Sequence, residues 1–513
     1  MQKRRVLINA VMSSIQIVVI SVVLFLLYKF LLKTIGVKQL GVWSLILATT
    51  SVTQIANFGL SGSIVKFVAK YIARREIENV SLVLQTATIS ISAMAGFILL
   101  IAYPFARWVL RLVISTESLE LALSILPYAF FSLWVMMITS IFQAGLDGYQ
   151  RIDIRSCLLM GGAILHLVLC LMLAPTYGLI GVAYARIIQN LVIFLSSWLL
   201  LKRYLPLLPV FPYKWNKGLF KEIIGYGINF QVISIASIFY DPITKALMSK
   251  FDGLSMVGYY EMASRMIQQF RALIVSANQV LVPAIANLKE KSPAKIQSVY
   301  LTTYQLIFYL SLPLFSMTII SAPIISELWI GYYENSFIVF GTLLAAGWFL
   351  NTLNSPAFFA NLGVGELRWN VVSHIAIALL NTCLGFSLGL IYGGIGVVVA
   401  WVISLSLGSS IVYLSYHINH RIPLAELLPR ESRIIVAACL SAIALAFIAR
   451  HSLVNRLNAV ELESLIFFLP LIVIFIPIWI HPMRKRVVKL ILFEIINKER
   501  GKKGGLHFPF FIL

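Results

Sequence analysis

Long apolar runs alternate with short polar breaks from Val6 to Ile480. Each run holds about twenty residues before Gly, Pro or a charge interrupts it, the length of an α-helix that crosses roughly 30 Å of hydrocarbon. The pattern predicts about fourteen such helices: 7–32, 40–63, 80–103, 120–143, 156–174, 179–201, 225–249, 254–284, 301–324, 337–360, 370–391, 394–416, 432–450 and 462–480. Strands of a membrane barrel would alternate apolar and polar over segments of about ten residues. These runs are continuous, so the fold class is all-α, a polytopic membrane protein.

Composition excludes a soluble fold. The 513 residues are 60% hydrophobic and 12% charged, with a mean hydropathy of +0.90, whereas soluble domains carry about 25% charged residues. No polar stretch between the runs is long enough to fold alone, which excludes a soluble domain on a single anchor. Lys3-Arg4-Arg5 precede an apolar run too long for a signal peptide, so a retained first helix is expected. Cys157, Cys170, Cys383 and Cys439 lie in or beside apolar runs with no CxxC pair and are read as packing residues.

Charge orients the spans. An even number puts both termini on one side, and the positive-inside rule makes that side cytoplasmic. Most of the 41 Lys and Arg residues then fall inside, including Lys66 to Arg75, Lys202 to Lys221, Lys289 to Lys295 and a tail group from Arg484 to Lys503. The net charge of +21 is therefore mainly topological and implies no nucleic-acid partner. The basic tail reads as a contact for anionic membrane lipids. The expected location is the cytoplasmic (inner) membrane, multi-pass, with both termini cytoplasmic.

The halves repeat. Gly41-Val42-Trp43 resembles Gly258-Tyr259-Tyr260. Ala144-Gly145-Leu146-Asp147-Gly148 with Arg151 resembles Ala360-Asn361-Leu362-Gly363 with Arg368, and Tyr177-Gly178-Leu179-Ile180-Gly181-Val182 resembles Tyr392-Gly393-Gly394-Ile395-Gly396-Val397. The three matches come in order at offsets of 215 to 217 residues, which argues for a duplicated unit of six helices in parallel orientation. The expected divisions are an N-terminal lobe at 1–203, a proline-interrupted linker at 204–221, a C-terminal lobe at 222–420, two additional helices at 421–483 and a basic tail at 484–513. At the Tyr-Gly-x-x-Gly turns, Gly supplies positive φ and close helix approach.

Enzymatic signatures are missing. The seven histidines show no HExxH pattern or metal-ligand spacing, and no GxxxxGK[ST] loop is present. No metal, no cofactor and no ATPase are expected. His417 and His420 are read as solvated by headgroups at a helix end. Membrane glycosyltransferases typically need a large hydrophilic loop bearing catalytic groups, and the outer loops here are short, so the chain is read as no enzyme.

What remains is a set of polar groups at costly depth, where a charge is tolerated chiefly by facing protein or water. Asp241 and Lys245 are spaced i, i+4, as are Glu261 and Arg265, so each pair can neutralise itself along one helix. Gln268, Gln269 and Arg271 follow, and Arg186 is the mid-span charge of the first half. Both pairs could equally join helices together. The mid-span groups nevertheless carry an excess of base, which suits an anionic substrate such as a phosphate or pyrophosphate. Gln16, Gln54, Asn57, Asn229 and Gln231 could add neutral donors. Phe239, Tyr240, Tyr259 and Tyr260 read as an interfacial aromatic belt.

Gly36 to Leu45, Asn57 to Ser63 running into Lys66 to Tyr71, Val257 to Ala263 and the two Tyr-Gly-x-x-Gly turns together resemble the O-antigen (Wzx-type) polysaccharide flippases of the multidrug/oligosaccharidyl-lipid/polysaccharide exporter superfamily. The resemblance implies two six-helix lobes facing a central cavity and two extra helices that form a lipid-facing groove. It also implies alternating-access export of a polyprenyl-diphosphate-linked oligosaccharide, with a glycan polymerase or glycosyltransferases as pathway partners. By position, Arg265 is the candidate for the diphosphate and Arg271 the second, with Lys245, Arg186 and Gln268 as further substrate contacts. Asp241 and Glu261 are left to ion coupling or internal pairing. Span one departs from the family pattern by carrying Gln16 in place of a central charge. The competing readings are a multidrug cation antiporter of the same superfamily, a membrane glycosyltransferase or glycan ligase, and a scaffold for glycan assembly.

Overall fold

The computed structural model describes residues 2–51, 60–225, 240–278, 281–423, 427–453 and 459–485, and among them no strand occurs. In chain order the helices are α1 (Gln2–Ser51), α2 (Leu60–Ala73), α3 (Ile77–Val113), α4 (Thr116–Gly148), α5 (Ile152–Tyr204), α6 (Tyr240–Asp252) and α7 (Leu254–Asn278). They continue with α8 (Leu281–Lys291), α9 (Lys295–Trp329), α10 (Asn335–Val364), α11 (Arg368–His420), α12 (Ser432–Leu453) and α13 (Ala459–Ile480).

Eight of the described helices are long and apolar enough to cross a membrane. Two of them, α5 and α11, have 53 residues each, which at 1.5 Å per residue is roughly 80 Å and far more than one crossing needs. Each breaks once, at Gly178 (φ 55°, ψ −135°) and at Gly393 (φ 60°, ψ −142°). These are the turn glycines of the two Tyr-Gly-x-x-Gly motifs, held in nearly identical backbone geometry that a side chain would strain. Gly36 (φ 79°, ψ 165°) breaks α1 in the same way. With these breaks counted, most of the described helices fall where the apolar runs put the expected spans, while α2 and α8 extend beyond them. Gln54, Asn57, Asn229, Gln231, Phe239 and most of the basic tail lie outside the described residues.

The duplication is visible in packing. A Cβ on Gly181 would strike the carbonyl oxygen of Leu173, and one on Gly396 that of Leu388, the residues 215 positions further on. Gly148 lies against Val68 of α2, and Gly363 against Ile285 of α8. Within α5 the two arms meet at Gly162 against Ile193, and within α11 at Gly408 against Ile377. The last pair is the same contact with the small and large partners exchanged. Two arms approach this closely only where one of them lacks a side chain, and either partner satisfies that condition.

Two compact units divide the chain: Met1–Met262 with Ala378–Val397, and Ala263–Ile377 with Val398–Leu513. In the first unit α1 packs along α5, and α4 packs between α3 and α5. In the second, α9 lies beside α10, and α12 and α13 dock on α9 through Tyr309, Ile435, Cys439, Ile466 and Ile474. The Tyr309 hydroxyl donates to the Ile478 carbonyl at 2.9 Å and fixes that docking.

His417 differs from its expected role. It is buried among Tyr300, Tyr413 and Tyr416 and shares a 2.7 Å hydrogen bond between Nε2 and the Tyr300 hydroxyl. Aromatic side chains cover His417, while Ile418, Asn419, His420 and Arg421 after it are exposed.

Candidate functional site

In the first unit the start of α7 meets α1 through two glycines. A Cβ on Gly41 would collide with the Leu254 carbonyl, and one on Gly258 would lie 2.5 Å from the Val37 carbonyl. Val37 and Leu254 are 217 residues apart, as are Gly41 and Gly258. One contact is thus made twice, once from each copy, about a local twofold axis.

That backbone approach carries the neighbouring side chains together. Ser44 and Glu261 stand in the same 217-residue relation, and so do Tyr28 and Lys245. The other three converge on the Glu261 carboxylate. Its Oε1 accepts from the Tyr28 hydroxyl at 2.9 Å, and its Oε2 accepts from the Ser44 hydroxyl at 2.8 Å and the Lys245 Nζ at 2.7 Å. Lys245 also reaches Asp241 Oδ2 at 2.5 Å. Lys245 and Glu261 are each 2% exposed and Asp241 is 42% exposed. Two charges this deep are tolerated only when hydrogen bonds replace their hydration, which costs several kcal/mol per ion to remove.

Sequence spacing pairs Lys245 with Asp241 and Glu261 with Arg265. The first pairing is present, and Glu261 has in addition taken Lys245 from α6. Tyr240, Tyr259 and Tyr260, expected as an interfacial belt, are buried at 8%, 6% and 2% exposure. The glycine contact draws Tyr259 and Tyr260 at the start of α7 into the packed interior, and Tyr240 is buried at the start of α6, so these rings serve the core.

Arg186 lines a cavity of about 400 Å³ bounded by α1, α4 and α5, with Leu24, Leu27, Met137, Gln143, His166, Gln189 and Asn190 among its walls. Arg186 Nη1 donates to Gln189 Oε1 at 2.9 Å. Asn190 Nδ2 is spent on Ser132, at 2.7 Å to Oγ and 3.0 Å to the carbonyl, and ties α5 to α4. The lining holds no carboxylate.

Arg271 belongs to the second unit and sits in a neutral cradle. Its guanidinium carbon lies 4.5 Å from the Trp348 ring centroid, and Nη2 donates to Asn351 Oδ1 at 2.9 Å. Asn351 Nδ2 in turn donates to Ser409 Oγ at 2.8 Å, which orients the amide. Arg271 Nε and Trp348 Nε1 are buried donors with no partner among the described residues. Such a cation, held by a π face and an amide oxygen, keeps its charge available to an anion. On the same helix Arg265 is half-buried, while Gln268 is exposed and donates to Ser264 Oγ at 3.0 Å.

The structure therefore brings Asp241, Lys245 and Glu261 into one cluster and places Arg186 and Arg271 in separate surroundings. Tyr28, Ser44, Trp348 and Asn351 were not singled out from sequence. Extending the 217-residue offset from Glu261 and Lys245 would have reached the first two. Among the described residues no group of three or more His, Cys, Asp or Glu could hold a metal ion.

Residues 30–333 match the family model described as polysaccharide biosynthesis protein. The chain belongs to that family. The resemblance drawn from the motifs holds at this level, and the protein is a multi-pass helical membrane protein of the polysaccharide biosynthesis family. A Shigella flexneri protein called "Putative O-antigen transporter" is 24% identical over 208 residues, which is 40% of this chain and 48% of that relative. The matched region thus spans about half the length of the relative.

Solved structures of the fold include an inward-facing multidrug resistance MATE family transporter of the MOP superfamily, with a TM-score of 0.70 at 17% identity over 78% of this chain and 94% of that one. The lipid II flippase MurJ in an inward closed conformation matches with a TM-score of 0.65 at 15% identity over 97% of this chain and 100% of that one. At such identities the likeness is one of fold, and both polysaccharide biosynthesis members and multidrug transporters are built on it.

Proposed function

We propose that this protein is a flippase that moves a polyprenyl-diphosphate-linked oligosaccharide from the inner to the outer leaflet of the cytoplasmic membrane by alternating access. The observation that carries this reading is the neutral cradle of Arg271. A guanidinium kept at membrane depth beside an indole and an amide, with no partner for its Nε donor among the described residues, suits a phosphoryl oxygen far better than a cationic drug. Family membership and the lipid-linked substrate named for MurJ support the same class of cargo.

In this mechanism the prenyl tail stays in lipid while the charged head crosses within protein, so that no phosphate meets hydrocarbon. Arg271 takes the diphosphate, and Arg265 and Gln268 extend the polar path along α7. The cluster of Lys245, Glu261, Tyr28 and Ser44 closes the end of the molecule that carries the Gly36 and Gly253 turns. In the topology of both termini inside, that is the outer end. Opening it requires Glu261 to release Tyr28 and Ser44, while Lys245 and Asp241 remain beside one another on α6. Glu261, matched by an ammonium, serves closure in preference to carrying a coupling ion.

The test is export of surface glycan by Arg271→Ala and Arg265→Ala, each with its membrane level confirmed. Arg271→Ala abolishes export and Arg271→Lys retains part of it. Wild-type export by both alanine variants overturns the reading. Product formation on a lipid-linked sugar by the purified protein would move it to a glycosyltransferase, and drug efflux with intact glycan export to an antiporter.

A further inference from the structure

We propose that the connection between α9 and α10 is a saccharide-binding platform, on which Tyr332 and Tyr333 stack against neutral pyranose rings of the glycan. In the topology of both termini inside, this connection lies at the outer face. The inference rests on the glycan reading for the source of the sugar and is independent of Arg271. All of its residues belong to the second unit.

The first copy shows what the turn alone requires. There α3 and α4 are joined by Ile114 and Ser115, whereas α9 and α10 are joined by the five residues 330–334. Since α10 has 30 residues where α4 has 33, the second copy replaces about one helical turn with a longer connection. Reversing the chain does not need that length. The connection carries the two tyrosines, which are 52% and 51% exposed.

The longer connection is built to hold its shape. Ser326 Oγ donates to the Tyr332 carbonyl and accepts from the Glu334 amide, both at 2.9 Å. Gly331 takes φ 100°, which a side chain would strain, and Glu334 Oε1 caps α10 by accepting from the Ser336 amide at 3.1 Å. The Arg450 guanidinium carbon lies 5.4 Å from the Tyr333 ring centroid and props that ring. A backbone pinned on both sides of the two rings leaves less freedom to be lost on binding.

Charge and chemistry select the ligand. Glu327 is exposed and Glu334 half-buried beside the tyrosines, two carboxylates against the single guanidinium of Arg450. They repel phosphate, which disfavours an anionic lipid headgroup, and they accept hydrogen bonds from hydroxyl groups. A pyranose has hydroxyl donors around its rim and an apolar face of C–H groups that packs on the electron-rich face of an aromatic ring. Tyrosine supplies large contact area with few rotatable bonds, and its hydroxyl adds a donor and acceptor at the ring edge. In the first copy Glu117, which stands 217 residues before Glu334, pairs with Lys38 at 2.6 Å, and its two-residue connection has no aromatic side chain.

The experiment uses the purified full chain in detergent. The probe is the oligosaccharide released by mild acid from the lipid-linked glycans of the cells that make the protein. Saturation-transfer difference NMR is expected to show transfer from wild-type protein to the ring C–H protons of the probe. Tyr332→Ala combined with Tyr333→Ala should weaken the transfer severalfold, and the corresponding pair of phenylalanine substitutions should keep most of it. Arg271→Gln should leave it unchanged, and inorganic diphosphate should not compete. Should the double alanine variant fail to fold, Tyr332→Ala alone serves, again with a weaker signal expected. No transfer to the probe from wild-type protein overturns the proposal, as does a signal that the alanine substitutions leave unchanged. A signal lost in Arg271→Gln and displaced by diphosphate overturns it in favour of the diphosphate site. Export abolished by Arg271→Ala with no saccharide signal sinks the platform alone, whereas a saccharide signal with export intact in Arg271→Ala and Arg265→Ala sinks the diphosphate reading alone.

Discussion

The two copies of the repeat share a skeleton and differ in chemistry. Both break at a glycine with the same dihedral angles, both cross their long helices through one glycine, and each contributes half of the Gly41 and Gly258 contact. At equivalent positions the first copy carries Tyr28 and Ser44 and the second carries Lys245 and Glu261. In the other direction, Arg186 of the first copy faces a cavity where the second has the packed Trp401. Backbone proximity leaves no alternative to glycine, so those positions stay alike. A side chain in a cavity or a cluster is constrained only by what it must bind, and there the copies have diverged.

The strongest way to break this comparison is at the shared skeleton. Gly41→Leu and Gly258→Leu each force a side chain into a carbonyl of the other copy, a clash costing about 3 kcal/mol or more. Both should remove the monodisperse peak in size-exclusion chromatography of the detergent-extracted protein. A normal peak for either would show that the contact is dispensable.

Next in size is the charged half of the cluster. Glu261→Ala takes from the buried Lys245 ammonium its buried carboxylate and is expected to cost about 3–5 kcal/mol in unfolding measurements. Lys245→Met combined with Glu261→Met removes both charges and should recover most of that loss while glycan export still falls. Recovery of export along with stability would assign the pair to packing only.

The neutral half is worth less. Tyr28→Phe and Ser44→Ala each delete one hydrogen bond to a carboxylate, about 1.5–3 kcal/mol, and a double-mutant cycle with Glu261→Gln should show that each acts through that carboxylate. Smallest of all is Lys38 with Glu117, an ion pair at 2.6 Å whose side chains are 45% and 78% exposed. Solvent screens it, so Lys38→Ala should leave the melting temperature unchanged at physiological salt. A clear shift would mean that exposed charge also matters at this end of the molecule.

Much of this was legible before any coordinates. The spans follow from apolar run length, and the breaks at Gly178 and Gly393 from a local motif. The duplication appears as an offset of 215 to 217, and the packing adjusts one match, pairing Gly148 with Gly363. Local signals of this kind survive in sequence because neighbours along the chain enforce them. The partners of the mid-helix charges were not legible. Helical spacing correctly joined Asp241 to Lys245 and was silent about α1, because Tyr28 and Ser44 are hydroxyl residues that could equally have packed anywhere. His417 and the three tyrosines at 240, 259 and 260 were placed at the membrane surface, since position along a helix does not reveal what covers its end.

By itself the amino-acid sequence determined an all-helical membrane protein of two parallel copies, with glycines at the points where helices turn or cross, because hydrophobic length and backbone sterics act over a few residues. Only the tertiary structure decided which charges meet, leaving Glu261 clasped by both copies, Arg271 in a neutral cradle and Arg186 beside a cavity. Burial and hydrogen bonding depend on distances between residues some two hundred positions apart, and those distances exist only once the helices have packed.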